Sequence, residues 1–207
     1  YTGPDFGTRH ATTAGFSDDV TYREPTPRLA LSWRPGEATM LYAQASRGFK
    51  GGSYNVRANV LEHPESAHPL DSETVVAFEL GAKGGWLDGR FDWALAVFHN
   101  DYRDIQLSVL TRNADNQGGF ADFRNAGDGS TRGAELEWQA RLGPVLRWTG
   151  HAGYLDARYD TYFDNGINLA SSRHFPNAPR WTAGSSLVAD IPLHGAGWLR
   201  ARVDGRY

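Results

Sequence analysis

Gly133-Ala134-Glu135-Leu136-Glu137-Trp138-Gln139-Ala140-Arg141-Leu142 sets Ala134, Leu136, Trp138, Ala140 and Leu142 on one parity and Glu135, Glu137, Gln139 and Arg141 on the other. Successive side chains of a β-strand point to opposite faces, so this stretch predicts a strand that is apolar on one side and charged on the other. Such a strand belongs to a sheet whose two faces meet different surroundings. The same period recurs about eight times along the chain.

Working outward, Leu29, Leu31 and Trp33 oppose Arg28, Ala30 and Ser32 before a turn at Arg34-Pro35-Gly36-Glu37. A second strand over 38–49 carries Leu41, Ala43 and Ala45 against Tyr42, Gln44 and Ser46, and an aperiodic segment, 50–72, follows. The third sets Val76, Phe78, Leu80 and Ala82 against Val75, Glu79 and Lys83 and runs into Asp88-Gly89, a strong hairpin signal. The fourth, from Phe91 to about Leu110, presents Phe91, Trp93, Leu95 and Val97, and 111–122 reads as a Gly/Asn/Asp-rich loop. After the opening strand, Gly143-Pro144 turns the chain into a sixth strand with Leu146, Trp148, Ala152 and Tyr154 opposite Arg147, Thr149, His151 and Gly153. A polar loop over 160–178 precedes a seventh, with Trp181, Ala183, Leu187, Ala189 and Ile191. An eighth, with Leu199, Ala201 and Val203, follows a short turn near His194.

Connections therefore alternate short, long, short, long, and every short one falls at the same end. A soluble β-sandwich has the same in/out period but scatters its long loops to both ends, whereas an outer-membrane barrel keeps short turns on one side and long loops on the other. Tryptophan placement is a second test, because indole favours the boundary between lipid and water. Trp33, Trp86, Trp93 and Trp148 lie near short turns with apolar parity, and Tyr154 and Trp181 have that parity near long loops. Trp198 shares the parity of Arg200 and Arg202, which requires a bulge or a strand-end position.

Composition agrees. The 207 residues are 40% hydrophobic and 13% aromatic, with a mean hydropathy of -0.53, too little apolar content for a large dry core unless it is used in rows. No run reaches the length of a transmembrane helix, which leaves a barrel as the membrane route. With 21 basic and 24 acidic residues there is no polyelectrolyte signal for nucleic acid, and without Cys there is neither a disulfide nor a thiolate metal site. Because Tyr1 opens in polar, Gly-rich sequence and Tyr207 ends an alternating run, the chain is expected to be a piece of a larger barrel.

Several segments resemble TonB-dependent outer-membrane receptors. Leu41-Tyr42-Ala43-Gln44-Ala45-Ser46-Arg47-Gly48-Phe49-Lys50 is similar to the family's "YASYSRGFK" strand, and Glu79-Leu80-Gly81-Ala82-Lys83 to its "ELGLK". Phe98 through Tyr102, Asp104, Ile105 and Gln106 match "FYYDYKDIQ"; Asn125-Ala126-Gly127 with Gly133, Glu135 and Glu137 match "NAG…GxExE"; Asn177-Ala178-Pro179-Arg180 matches "NAPR". The resemblance implies an antiparallel, all-β transmembrane barrel, of which this chain supplies an arc of about eight strands over 25–207 after a loop over 1–24. It implies active import of a scarce nutrient of siderophore-iron, cobalamin or glycan type across the bacterial outer membrane, with no bond-breaking chemistry and no cofactor. Its partners are outer-membrane lipid, a small-molecule nutrient, an N-terminal plug and, through a TonB box, the TonB complex; plug and box are not expected within this chain. The competing expectations are a small barrel closed by these eight strands, passive or structural, and a soluble carbohydrate-binding β domain.

His151, Glu135 and Glu137 are the polar-face residues that invite a catalytic reading, but no nucleophile–base–orienter spacing accompanies them. They are read, with Glu79, Lys83 and Arg147, as lumenal wall; the two glutamates are expected to bond to the plug or to Arg141, Arg147 or Arg200. His63 and His68, with Glu62, Glu65 and Asp71, read as a solvated loop in preference to a metal site, and Asp115 to Gly119 departs from calcium-loop spacing. Within the family, substrate is held by extracellular loops and the upper lumen. By location and residue type, Tyr54, Arg57, Arg112, Phe120, Tyr162 and His174 are the candidates, aromatics for stacking area and arginines for anionic groups.

Overall fold

Alternating runs joined by tight turns pair most easily with their neighbours in sequence, and in the computed structural model they do. It describes residues 19–55, 58, 64–112 and 119–207. The strands are β1 (Arg28–Gly36), β2 (Thr39–Lys50), β3 (Glu73–Trp86), β4 (Phe91–Arg112), β5 (Gly119–Arg141), β6 (Leu146–Asp164), β7 (Ile167–Asn168), β8 (Trp181–Pro192) and β9 (Trp198–Arg206). All pairs are antiparallel, in the order β1-β2-β3-β4-β5-β6-β8-β9, with the short β7 on β6.

The sheet is open: β1 bonds only to β2 and β9 only to β8. That removes the small closed barrel. No second sheet covers the apolar face among the described residues, and Leu80, Trp33 and Leu136 are 59%, 64% and 39% exposed, which removes the soluble sandwich. An apolar face of this extent is made for lipid.

Register carries the apolar parity across the sheet without a slip. One cross-strand row reads Ala43, Leu80, Val97, Ala134, Tyr154, Trp181, and another reads Leu41, Ala82, Leu95, Leu136, Ala152, Ala183. Nearer the short turns, Trp86 packs on Phe91 and Trp93 at 5.8 and 5.5 Å, and Trp138 on Trp148 at 5.4 Å, all on this face. At the other end Tyr154 meets Trp181 at 4.7 Å. The two aromatic belts expected from the sequence are thus assembled from residues of different strands. Rings lie over glycines on the neighbouring strand: a Cβ added to Gly150 would sit 2.2 Å from Trp138, and one on Gly81 2.2 Å from Tyr42. Trp198 is the first residue of β9, and the β8–β9 register is uninterrupted, so its parity is a strand-end effect with no bulge.

The strands outgrow the sequence expectation at the long-loop end. Within the expected loop over 111–122, residues 111–112 and 119–122 are strand, and β4 and β5 pair out to Arg112↔Gly119. The period is hidden there by register shifts between Tyr102 and Gln106, where Asp104 takes φ 56°, a left-handed conformation that Asp tolerates. Likewise β6 continues to Asp164 and returns as β7 through Asn165-Gly166, both at positive φ (50° and 77°), a hairpin pair inside the expected polar loop.

Opposite parities lead to opposite expectations at adjacent residues. Leu136→Arg in the middle of the apolar band should cost the barrel about 2–4 kcal/mol of folding free energy in lipid vesicles, by urea titration. Glu137→Arg, one residue on, should change it by about 0.5 kcal/mol or less.

Candidate functional site

The polar face divides into a wall and a rim. Along the wall the register sets Glu79 opposite Gln44 and Phe98, Glu135 opposite Ala96 and Gly153, and Glu137 opposite Ala94 and His151. Lys83 reaches over the Tyr42 ring at 5.8 Å, and the His151 ring covers Gly184. The expected pairing of Glu135 and Glu137 with Arg141, Arg147 or Arg200 does not form. Arg141 donates to the Gly89 carbonyl, Arg147 faces Arg141, and Arg200 on β9 bonds Asp190 at 2.5 and 3.1 Å. Glu135, Glu137, Arg147 and His151 are instead exposed on this face. Thr149 lies beside His151 and Glu137, but no hydrogen bond links His151 or either glutamate to a hydroxyl among the described residues, so no nucleophile–base–orienter chain is assembled on the wall.

The rim is built where β4, β5 and β6 extend past the aromatic belt. Tyr102, Gly129 and Tyr159 are directly opposite one another on the three strands. With no side chain on Gly129, the Phe175 ring from the connection after β7 drops over it; an added Cβ would be 3.0 Å from that ring. Phe175 stacks on Tyr159 at 4.2 Å and 15° and meets Tyr102 at 6.3 Å, and Tyr162 closes on Tyr159 edge-on at 5.1 Å. Arg173 lies over Tyr162 at 5.3 Å, with Asp164 3.7 Å away. Burial pushes the Tyr159 phenol above its ordinary pKa, with Tyr162 and Glu73 adding to the shift, so it remains a hydrogen-bond donor at neutral pH. Arg173, His174, Phe175 and Tyr159 line a groove of about 500 Å³ between β6 and the 170–180 segment.

Beside the rim, the long segment after β2 is tied down to β4 and β5. Its two ends meet, Leu70 N donating to Ser53 O at 2.8 Å and Tyr54 bridging Pro69. Gln106 Nε2 donates to Gly51 O and Asp71 O, both at 3.0 Å; Asn125 Nδ2 donates to Asp71 O and Asp104 O at 3.0 and 2.7 Å and its Oδ1 accepts from Asp71 N. Asp122, 1% exposed, accepts from Asn55 Nδ2 at 3.0 Å and Arg124 Nε at 2.6 Å. Tyr22 donates to Leu70 O at 2.6 Å, its phenol pushed up by burial and by Asp71. Leu70, Ile105, Val109 and Ala126, all buried at this end of the molecule, are most of the apolar core among the described residues.

Of the sequence candidates, Tyr162 and His174 lie at this groove and its aromatic edge. Tyr54 is half-buried in the docked segment. Arg57 lies outside the described residues, as do the side chains of Arg112 and Phe120, whose backbones pair near the tip of the β4–β5 hairpin. Sequence reasoning missed Tyr102, Tyr159, Phe175 and Arg173. Asp71 binds the strands through its backbone, His63 and Glu62 lie outside the described residues, and no group of three metal-ligating side chains occurs among those described.

Comparison with known proteins gives this arrangement a context. The model of the family described as TonB dependent receptor-like, beta-barrel matches residues 3–207. The metal-pseudopaline receptor CntO of Pseudomonas aeruginosa is 28% identical over 183 residues, 87% of this chain and 23% of that protein. The ferric yersiniabactin uptake receptor FyuA from Yersinia pestis superposes with a TM-score of 0.68 at 23% identity, over 87% of this chain and 25% of that one. The ferric preacinetobactin receptor BauA from Acinetobacter baumannii gives 0.62 at 20%, with the same coverage. The chain thus spans about a quarter of the length of the relatives it matches.

The buried carboxylate supplies a test of the docked segment. Asp122→Ala should raise the rate of proteolytic nicking within 51–72 about tenfold, the effect of losing about 1–3 kcal/mol of charge-assisted bonding from a local opening equilibrium.

Proposed function

The chain belongs to the TonB-dependent receptor β-barrel family, outer-membrane transport receptors and not enzymes, and from that membership we propose that it walls a transporter for an anionic, ring-bearing metal chelate. The observation that carries the substrate class is the rim: Phe175 stacked on Tyr159 and tilted against Tyr102, with Tyr162 and Arg173 beside them. Flat π-faces bind planar chelating rings, and the guanidinium matches carboxylate or phenolate charge. The names of the relatives, receptors for a metal-pseudopaline, ferric yersiniabactin and ferric preacinetobactin, support the same class.

In this reading the chelate lands on the rim from outside, where Tyr54, Arg57, Arg112, Phe120, Tyr162 and His174 supply further contacts from the loops. Glu79, Lys83, Glu135, Glu137, Arg147 and His151 line the lumen below and hydrogen-bond to a plug carried by the same polypeptide. Exposed charge on a wall suits a partner that must be held yet able to move, since each polar contact that breaks can be replaced by water. Energy from the TonB complex then remodels the plug and the chelate passes inward. The chain's own residues bind, orient and line; none makes or breaks a bond.

Phe175→Ala in the complete receptor should weaken binding of a ferric chelate about tenfold, the scale of a lost aromatic stack, as read by quenching of tryptophan fluorescence. Arg173→Gln should weaken an anionic chelate by a similar factor while leaving an uncharged one unchanged. Tight binding of an uncharged glycan, with no affinity for any ferric chelate, would overturn the proposal.

A further inference from the structure

The lipid-facing parity changes character sharply at the outer belt. Through Leu80, Val97, Ala134, Tyr154 and Trp181 the row is wholly apolar, whereas the next row outward reads Phe78, His99, Arg132, Asp156 and the one after it Val76, Asp101, Ser130, Arg158. On β6 the change takes one step of the same face, from Tyr154 to Asp156, about 6–7 Å along the strand. That is headgroup depth, beyond the hydrocarbon.

Here two guanidinium groups hold one carboxylate, and a third stands beside them over Tyr154. Asp156 Oδ2 accepts from Arg132 Nε at 3.1 Å and lies 3.0 Å from its Nη2, while Oδ1 accepts from Arg158 Nε at 2.8 Å. Arg180 stands over the Tyr154 ring at 5.7 Å, its Nη2 3.4 Å from the phenol oxygen. The Asp156 side chain is 11% exposed, but those of Arg132 and Arg158 are 64% and 63% exposed, so the carboxylate aligns the two arginines from below and leaves them open outward. His99, opposite Arg132, lies 3.3 Å from Asp101 at the edge of the patch. Each guanidinium has five N–H donors, and Asp156 takes a minority of those on Arg132 and Arg158.

We propose that Arg132, Arg158 and Arg180 form a site on the outside of the barrel for the phosphate groups of outer-leaflet lipid headgroups. Arginines held in a fixed fork over an apolar band match a phosphorylated amphiphile, whose chains lie along Leu80, Val97 and Tyr154 while its phosphate meets the guanidinium groups. Dissolved phosphate shares only the second contact. The site anchors the wall at a fixed depth and adjoins the proposed nutrient groove at the free edge of β6, where Arg158 and Arg180 also line that groove.

The test is titration of the complete receptor in detergent with bis-phosphorylated lipid A and with the same lipid after phosphatase treatment, bound lipid being counted by native mass spectrometry. The phosphorylated form should bind at least about tenfold more tightly. R132Q/R158Q should abolish the preference, and Arg180→Gln, outside the strands and thus without risk to their pairing, should reduce it. Heat-modified gel mobility verifies that each barrel is folded. Equal binding of the two lipids, an unchanged preference in folded R132Q/R158Q and in Arg180→Gln, or displacement of the lipid by millimolar inorganic phosphate would each overturn the proposal.

Discussion

An unbroken antiparallel ladder is the constraint on which everything else in this chain depends. In hydrocarbon no water is available to accept or donate a hydrogen bond, so each backbone group must find its partner on the next strand. Once the ladder is continuous, a side chain's face is decided by parity alone, and a one-residue slip would turn a whole strand's leucines inward and its charges into lipid. The register from Ala43 through Leu80, Val97, Ala134 and Tyr154 to Trp181 has no such slip. Among the described residues, bulges occur only where β4, β5 and β6 have left the apolar band, and at the β1–β2 turn. Irregular backbone is thus confined to places where water can satisfy it.

That distribution explains what was legible in the sequence. Inside the band, period two is enforced by both surroundings, so the strands, their faces, the short turns and the aromatic belts could be read directly. Beyond it, water meets both faces and the pressure for alternation disappears; Gly119 to Arg132 is strand without looking like one. Asn165-Gly166 carried a readable hairpin signal that the surrounding polar residues obscured. The rim cluster left no local trace, because Tyr102, Tyr159 and Phe175 are brought together only by register and by the empty position at Gly129. Tyr162 and His174 were found by residue type and location, criteria that cannot distinguish a residue at the groove from one merely near it.

The segments that carry the family resemblance have identifiable physical work in the fold. Gln106 and Asn125, from two of the matched motifs, are the side chains that fasten the segment after β2 to the strands. Arg180, from the "NAPR" match, covers Tyr154 where β8 begins, and Arg47 of the "SRGFK" match bonds Glu24 at 2.7 Å and Pro25 O at 2.8 Å. Gln106, Asn125, Arg180 and Arg47 therefore mark places where loops rejoin the wall, which is where a barrel with long extracellular segments has most conformational freedom to remove.

The Asn55–Asp122 bond is the buried member of the set that joins the segment after β2 to the extended strands. A change at either end of this bond removes one of the contacts that hold the buried group at the other, Asp122 keeping its bond to Arg124. Each segment is placed in part by a side chain of the other, so trimming or exchanging one of them alone would loosen both.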